Sequence, residues 1–259
     1  MAPPPAAASD EFVPALRRAT RRQHGIANAL ILAKLAVALT DRKLYGKALG
    51  QFLPVYAALE AALARHRAAP CLGRVAELAL SIPPRSEAMA RDLEALLGPD
   101  WAAAVPASRS ARAYAEHLER LADTAPELLI PYAWSLNVPI LLPFMGRQVA
   151  KGLGLAESGP GVEFFSIPGK AGRLPELRAA VNAAGRELAP AARAAALEEG
   201  CQQFRLNNAV VAEFLLPAGA AAAAVARALL SAVLRLRAVL AAALAALLVA
   251  VLLRRGGWA

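Results

Sequence analysis

Cysteine is scarce in this sequence: Cys71 and Cys201 are the only two, far apart and outside any CxxC spacing. They support neither a disulfide framework nor a zinc site, and they predict a chain that works in a reducing compartment. Charged residues are also few, at 19% of the chain, yet 29 lysines and arginines against 20 acids leave a net charge of +9. An anionic partner is therefore expected, whether a phosphate, a carboxylate ligand or a membrane surface.

The common sequence signatures of catalysis are missing as well. The chain has no GxGxxG, P-loop, HExxH or GxSxG motif, and no carboxylate and histidine cluster at metal-ligand spacing. Its basic runs lack interleaved aromatic residues, so nucleic-acid binding is not expected. His66 and His117 lie in helical patterns and are predicted to be solvated.

The middle of the chain has the pattern of an all-α domain. Hydrophobic residues make up 58% of the sequence, which excludes a disordered protein. Between Glu11 and Leu216 apolar residues recur at three- and four-residue spacing, with glycine and proline between the runs and no strand alternation or repeat. Ser86, Ser108 and Ser110 are candidate N-caps, and Pro190 suits the first turn of a long helix.

The two ends of the chain differ from this middle. Residues 1–10 are rich in proline and alanine without an apolar signal region, so they are predicted to be a flexible tail. Residues 217–237 are predicted to be a linker and juxtamembrane helix, and 238–253 a C-terminal transmembrane anchor. This uncharged run lies between two arginine pairs; as a helix it is about 24 Å long, and snorkelling arginines make up the rest of a bilayer core. A buried core helix is the alternative.

One histidine stands on the first basic helix, LRRATRRQHGIANALILAKL, which runs from Leu16 to Leu35. Taken alone, His24 is most simply a surface residue. Arg17 precedes it by seven residues, and two helical turns place both side chains on one face. An imidazole and a guanidinium so placed suit a flat metal macrocycle, with the nitrogen on the metal and the cation on an acidic edge group.

Five separated blocks resemble, in order and spacing, the heme oxygenases of animals. They are LRRATRRQH, FLPVYAALEAAL, RSEAMARDLEALLGPDWAAAVPASRSARAYAEHLERLADTAPELL, GPGVEFFSIP and LAPAARAAALEEGCQQFRLNN. The resemblance covers most of residues 11–216. It implies an all-α, multi-helix heme oxygenase-like domain followed by a C-terminal transmembrane helix, with His24 as the proximal ligand to heme iron.

The resemblance also assigns roles to single residues around the heme. Arg17 and Arg178 correspond to basic residues near the heme propionates. Phe204 and Asn207 correspond to residues that pack on or near the heme, and Tyr56 to a tyrosine of the distal hydrogen-bond network. Solvated arginines and buried core aromatics are the competing interpretations.

The distal segment YAWSLNVPILLPFMGRQVAKGL departs from the family, whose members have a tyrosine, a glycine and aspartate, then two glycines before a glutamine. Counting back from Gln148 keeps Gly146 as one heme-contacting glycine and puts Pro143 at the aspartate. Counting forward puts Trp134 at the tyrosine, three residues out of step. The family's glycines allow close approach to the macrocycle and its aspartate orders water, whereas Pro139 and Pro143 are expected to break or kink the helix.

Other substitutions bear on the same chemistry. Asn28 stands where the family has a glutamate four residues after the ligand, and an amide is a weaker orienting partner. The nearest candidates to serve the water network instead are Tyr56, Asn137 and Arg147. The altered segment indicates either slow turnover or a mis-joined coding segment.

The resemblance implies that heme is both cofactor and substrate, opened at a meso carbon to biliverdin, carbon monoxide and ferrous iron. Dioxygen is the oxidant, and electrons come from a membrane-bound, NADPH-dependent flavoprotein reductase. The expected location is the endoplasmic reticulum membrane, tail-anchored, with the core facing the cytosol. One alternative is a catalytically weak heme-binding or heme-sensing membrane protein; another is a membrane-anchored helical interaction protein that binds no heme. The sequence feature that discriminates among these three functions is the segment Pro139 to Gly146.

Overall fold

The computed structural model describes residues 11–141, 143–167 and 169–217, together with 219, 222 and 226. The chain divides into two compact units, Met1–Leu215 and Leu216–Ala259. The predicted tail 1–10 and anchor 238–253 lie outside the described residues, as does nearly all of the predicted linker 217–237.

Within the described part of the chain, all regular structure is helical, as predicted. The α-helices are α1 (Phe12–Ala38), α2 (Arg42–Gly50), α3 (Leu53–Arg65), α4 (Gly73–Leu80), α5 (Arg85–Leu97), α6 (Trp101–Ala104), α7 (Arg109–Thr124), α8 (Ile130–Leu141), α9 (Pro143–Leu153), α10 (Lys170–Glu187) and α11 (Pro190–Glu213). Two 3₁₀ turns, Pro126–Leu129 and Glu163–Phe165, precede α8 and α10.

The predicted helix starts are confirmed in part. Ser108 caps α7, where its hydroxyl accepts a hydrogen bond from the Ala111 amide at 3.1 Å. Pro190 is the first residue of α11. Ser86 and Ser110 lie just inside α5 and α7 and are not N-caps; the Ser86 hydroxyl donates to Glu60 instead.

Two glycines allow α1 to pack closely on α10 and α11. A Cβ added at Gly185 would lie 2.2 Å from Cβ of Phe12, and one added at Gly200 would lie 2.2 Å from Cδ1 of Leu16. The first turns of α1 are consequently buried, with Phe12 fully enclosed. The second half is different, because no side chain between Ala27 and Val37 is buried.

The distal segment forms two helices with a sharp bend between them. The expected break or kink does not interrupt the helix at Pro139, which lies inside α8, and α8 continues to Leu141. The bend falls at the next proline: the axes of Pro126–Leu141 and Phe144–Leu153 differ by 57°. Among the described residues, this bent pair meets the length and composition requirements for crossing a membrane, and no single helix does.

Candidate functional site

A cavity of about 790 Å³ lies between α1 and the α8–α9 pair. Helix α11 packs against both α1 and α8 and so forms a side wall. The lining is mainly apolar, with side chains such as Leu35, Leu49, Met89, Ile140, Val149 and Phe164. Of the described residues, no aspartate or glutamate borders it.

His24 and its neighbours form the α1 side of this cavity. The exposed imidazole of His24 lies edge-on to the Phe204 ring of α11, with ring centroids 5.3 Å apart. The side-chain nitrogen of Asn28, one turn further along α1, is 3.2 Å from Nδ1 of His24. Asn207 also borders the cavity, on the same wall as Phe204. The structure therefore brings together three residues that the sequence resemblance assigned to heme.

Basic side chains line one edge of the cavity. Arg17 and Arg178, from α1 and α10, are both among them. The Arg178 guanidinium lies over the ring of the buried Trp134, 5.9 Å from its centroid. Because cations over an aromatic face are stabilised by its quadrupole, this contact holds Arg178 at the cavity edge.

Lys34 borders the same cavity but is engaged elsewhere. Its Nζ donates to the carbonyl oxygens of Val211, Ala212 and Phe214 at 2.6, 3.0 and 2.5 Å. These carbonyls end α11 and carry the negative end of its dipole, so the ammonium caps the helix. Lys34 thus ties the C-terminal end of α11 to the C-terminal part of α1.

Tyr56 of α3 borders the cavity from the distal side. Its hydroxyl donates to the Leu136 carbonyl at 2.8 Å, and its ring packs edge-on against Phe164 at 5.1 Å. Burial raises the pKa of this phenol well above its ordinary value. Gln51 is also committed, since its Oε1 accepts from the Ser108 amide at 2.9 Å. The polar groups of this wall are therefore largely held by the protein itself.

The structure does not place Gly146 at the cavity. A Cβ at Gly146 would lie 2.7 Å from Cβ of Phe165, so this glycine lets α9 approach the 3₁₀ turn Glu163–Phe165. Asn137 is buried with its side-chain nitrogen on the Ala133 carbonyl, and Arg147 is exposed; neither lines the cavity. Of the three predicted substitutes for the distal acid, Tyr56 alone borders the cavity; the α9 side chains that line it are Met145 and Val149.

His117 was predicted to be solvated, and that prediction is wrong. Its side chain is 18% exposed, and Nε2 lies 2.9 Å from Oε2 of Glu199 on α11. The buried Tyr132 hydroxyl donates to the same oxygen at 2.6 Å. Burial opposes ionisation of Glu199, but the His117 and Tyr132 hydrogen bonds outweigh it and lower the pKa of the carboxyl. Nothing local in the sequence predicts a partner 82 residues away.

A buried acid and a buried base, which no local sequence pattern indicates, hold the Phe164 and Phe165 turn. The Asp92 carboxylate accepts from the amides of Glu163 and Phe164, both at 2.8 Å. The Arg85 guanidinium donates to the carbonyl oxygens of the same turn. The carboxylate thus binds backbone amides and the guanidinium binds backbone carbonyl oxygens. These contacts position the two phenylalanines on the cavity wall.

The side chains around the cavity suit a metal ion that is already held by a macrocycle, rather than a metal ion bound by protein side chains alone. Among the described residues no group of three or more histidines, cysteines or acids could hold a metal ion. A porphyrin needs one imidazole, an apolar slot and cations for its carboxylates. This cavity offers all three, so the fold and site define a helical heme-binding domain.

The match of the sequence to a family model agrees with this class of protein. The heme oxygenase family model matches residues 10–213, and the chain belongs to that family. It is 29% identical to heme oxygenase 1 of Homo sapiens over 217 residues, which covers 79% of this chain and 72% of the human protein. It is 27% identical to heme oxygenase 1 of Bos taurus over 205 residues, covering 74% and 68% of the two chains.

Solved structures share the fold. Heme oxygenase 2 of Chlamydomonas reinhardtii, crystallised without heme, superposes with a TM-score of 0.76 and 25% identity, covering 81% of this chain and 100% of that one. Heme oxygenase-1 of Synechocystis in complex with heme has a TM-score of 0.69, 21% identity, and coverage of 86% and 99%. The second likeness supports the fold alone.

Proposed function

We propose that this protein binds one heme in the α1–α8 cavity through neutral His24 and opens the macrocycle oxidatively. The products are biliverdin, carbon monoxide and ferrous iron. Dioxygen is the oxidant, and an NADPH-dependent flavoprotein reductase supplies the electrons. The observation that carries the proposal is His24, which stands on the wall of an apolar cavity edged by arginines.

Each part of the cavity has a role in this proposal. Heme supplies the iron at which dioxygen is reduced and the carbon skeleton that is oxidised. His24 holds the iron, and Phe204 limits rotation of its ring through the edge contact. Arg17 and Arg178 pair with the propionates, since guanidinium forms bidentate hydrogen bonds with carboxylates. The apolar wall excludes water and strengthens these interactions.

A second candidate is a heme-binding protein with weak turnover, and one observation favours it. Dioxygen activation needs ordered proton donors, yet no acid borders the described cavity and the Tyr56 hydroxyl is held by Leu136. General acid–base groups contribute about 10²–10⁴-fold to rates. We therefore expect this chain to bind heme with high affinity but to form biliverdin slowly.

One experiment tests all three candidates. Hemin is titrated into the purified protein while the visible spectrum is followed, and then reductase and NADPH are added. A one-to-one histidine-ligated complex that forms biliverdin supports the oxygenase. The same complex without biliverdin supports the weak binder, and no saturable spectral change supports a heme-free interaction protein.

We propose in addition that residues 238–253 anchor the protein in the endoplasmic reticulum membrane with the core in the cytosol. The support is sequence alone: an uncharged run between arginine pairs. Carbonate extraction of membranes is the test. The full chain should stay in the pellet and a chain ending at Pro217 should wash off; equal extraction of both would refute the anchor.

A further inference from the structure

The side of α1 that faces away from the cavity is apolar and exposed. It consists of Gly25, Ile26, Ala29, Leu32, Ala33 and Ala36, which we call the outer face of α1, and all six are exposed. Ile26 and Leu32 stand out, with 52% and 66% of their surface accessible. Polar side chains of this half of the helix turn the other way: Asn28 borders the cavity, and Lys34 reaches α11. The outer face is thus an unpartnered apolar surface.

The charged side chains of α1 itself are all basic. Helix α1 contains no aspartate or glutamate in its 27 residues. Arg22 is exposed, and a four-residue spacing places it on the side of Ile26. The helix therefore presents arginine first and then apolar side chains along one side. Anionic lipid headgroups above hydrocarbon offer the complementary arrangement.

The size of the outer face argues against a protein partner. From Gly25 to Ala36 the helix rises about 17 Å, and one side of a helix is about 10 Å wide. A stable protein interface needs about 800 Å² on each partner, several times more than this. Insertion into a lipid surface has no such minimum area, since each apolar side chain contributes separately.

We infer that the outer face of α1 docks on an anionic membrane surface, with Ile26 and Leu32 in the interfacial region and Arg22 on lipid phosphates. This contact is separate from heme binding and from the predicted anchor. It predicts that the domain without residues 218–259 retains reversible, salt-sensitive affinity for anionic vesicles.

The test uses the chain ending at Pro217. A shortened chain of this kind is expected to fold, because the whole of the Chlamydomonas chain superposes on 81% of this one. Flotation is measured with vesicles of phosphatidylcholine alone and with added phosphatidylserine. We expect binding to the mixed vesicles that weakens with salt. The double variant Ile26→Ser, Leu32→Ser should bind about tenfold less or weaker still. The control is Phe144→Ser, which alters a side chain 47% exposed on α9 and should bind as the parent does.

Three results of the vesicle experiment would overturn the proposal. They are no vesicle binding by the parent, equal binding by the double variant, and equal loss with Phe144→Ser. Sedimentation of the parent as a dimer that Leu32→Ser converts to monomer would assign the face to a second copy instead. Far-ultraviolet circular dichroism shows that each variant is folded, and exposed substitutions of this kind cost little stability.

Discussion

The side-chain nitrogen of Asn28 lies 3.2 Å from Nδ1 of His24, on the same face of α1. An imidazole that binds iron through Nε2 carries its proton on Nδ1, so the Asn28 amide must then turn its oxygen toward the ring. A neutral amide oxygen withdraws the proton less than a carboxylate does. The bound imidazole is therefore less electron-rich than one paired with an acid.

Asn28→Glu should accordingly make His24 a stronger donor. We expect a lower midpoint potential of the bound iron and a higher iron–histidine stretching frequency in the ferrous state. Asn28→Leu should weaken heme binding by about 10-fold or more, the usual scale for loss of such a partner. Spectroelectrochemistry and resonance Raman spectroscopy measure both effects. An unchanged potential in Asn28→Glu would mean that the amide does not orient the ligand.

His24→Ala should abolish the histidine-ligated spectrum, because the described cavity wall offers no second imidazole. Added imidazole should restore that spectrum by filling the space that the side chain leaves. His66→Ala is the matched control, since His66 ends α3 away from the cavity. If His24→Ala keeps the spectrum of the parent protein, another residue holds the iron.

Replacing Leu142 to Arg147 with the sequence glycine, aspartate, leucine, serine, glycine, glycine should raise the rate of biliverdin formation. The replacement removes Pro143, which starts α9 at the bend, and supplies a carboxylate that the described lining lacks. We expect a gain on the order of 10²–10⁴-fold with heme affinity little changed. The same segment with asparagine for the aspartate separates the acid from the backbone change. Ordinary family rates in the unmodified chain would show that Tyr56 or another group serves the water network.

The close packing of α1 predicts opposite effects of two glycine substitutions. Gly185→Ala forces a Cβ against Phe12 and should destabilise the fold by about 1–3 kcal/mol. At Gly25 a Cβ meets nothing within 4 Å, so Gly25→Ala should stabilise α1 by up to about 1 kcal/mol. Urea unfolding gives both values. Equal effects would mean that α1 and α10 do not approach as closely as described.

Asp92 should make stability depend on pH in an unusual direction. Burial raises the pKa of its carboxyl to about 6, although the amides of Phe164 and Glu163 act against this. Because an unfolded aspartate has a pKa of about 3.9, the folded state takes up the proton first as pH falls. The contribution of Asp92 to the unfolding free energy thus increases as the pH falls from about 7 to about 4.

The variant Asp92→Asn isolates this contribution. The difference in unfolding free energy between parent and variant should shift in favour of the parent by about 2–3 kcal/mol over that range. Asp123→Asn changes a side chain 62% exposed and should show no such shift. A pH-independent difference for Asp92→Asn would contradict the raised pKa.

Local patterns in the sequence predicted most of the fold. The apolar spacing gave helices, Ser108 and Pro190 marked two starts, and the seven-residue interval placed Arg17 and His24 beside one cavity. Their roles toward heme stay predictions. These features depend on neighbours a few residues apart, which periodicity and capping rules describe.

The contacts that sequence reasoning missed join distant segments. The partner of His117 lies on another helix, and Asp92 binds backbone amides more than 70 residues away. Gly146 was assigned to the heme because a motif aligned, but the direction of α9 depends on the bend before it. Side-chain direction after a helix break follows from tertiary packing, which a motif does not specify.

The uneven burial of α1 also bears on how heme enters. The helix is fixed at Phe12–Thr20 and again at Val37, whereas the stretch between Ala27 and Val37 has no buried side chain and is tied to α11 by Lys34. We expect the part before Lys34 to open locally at low free energy, so that its amides exchange with solvent early. Heme would cover one side of it and slow that exchange, so part of the intrinsic binding energy is spent on ordering the helix. The affinity for heme then reports the stiffness of α1 as well as the strength of the iron–histidine bond.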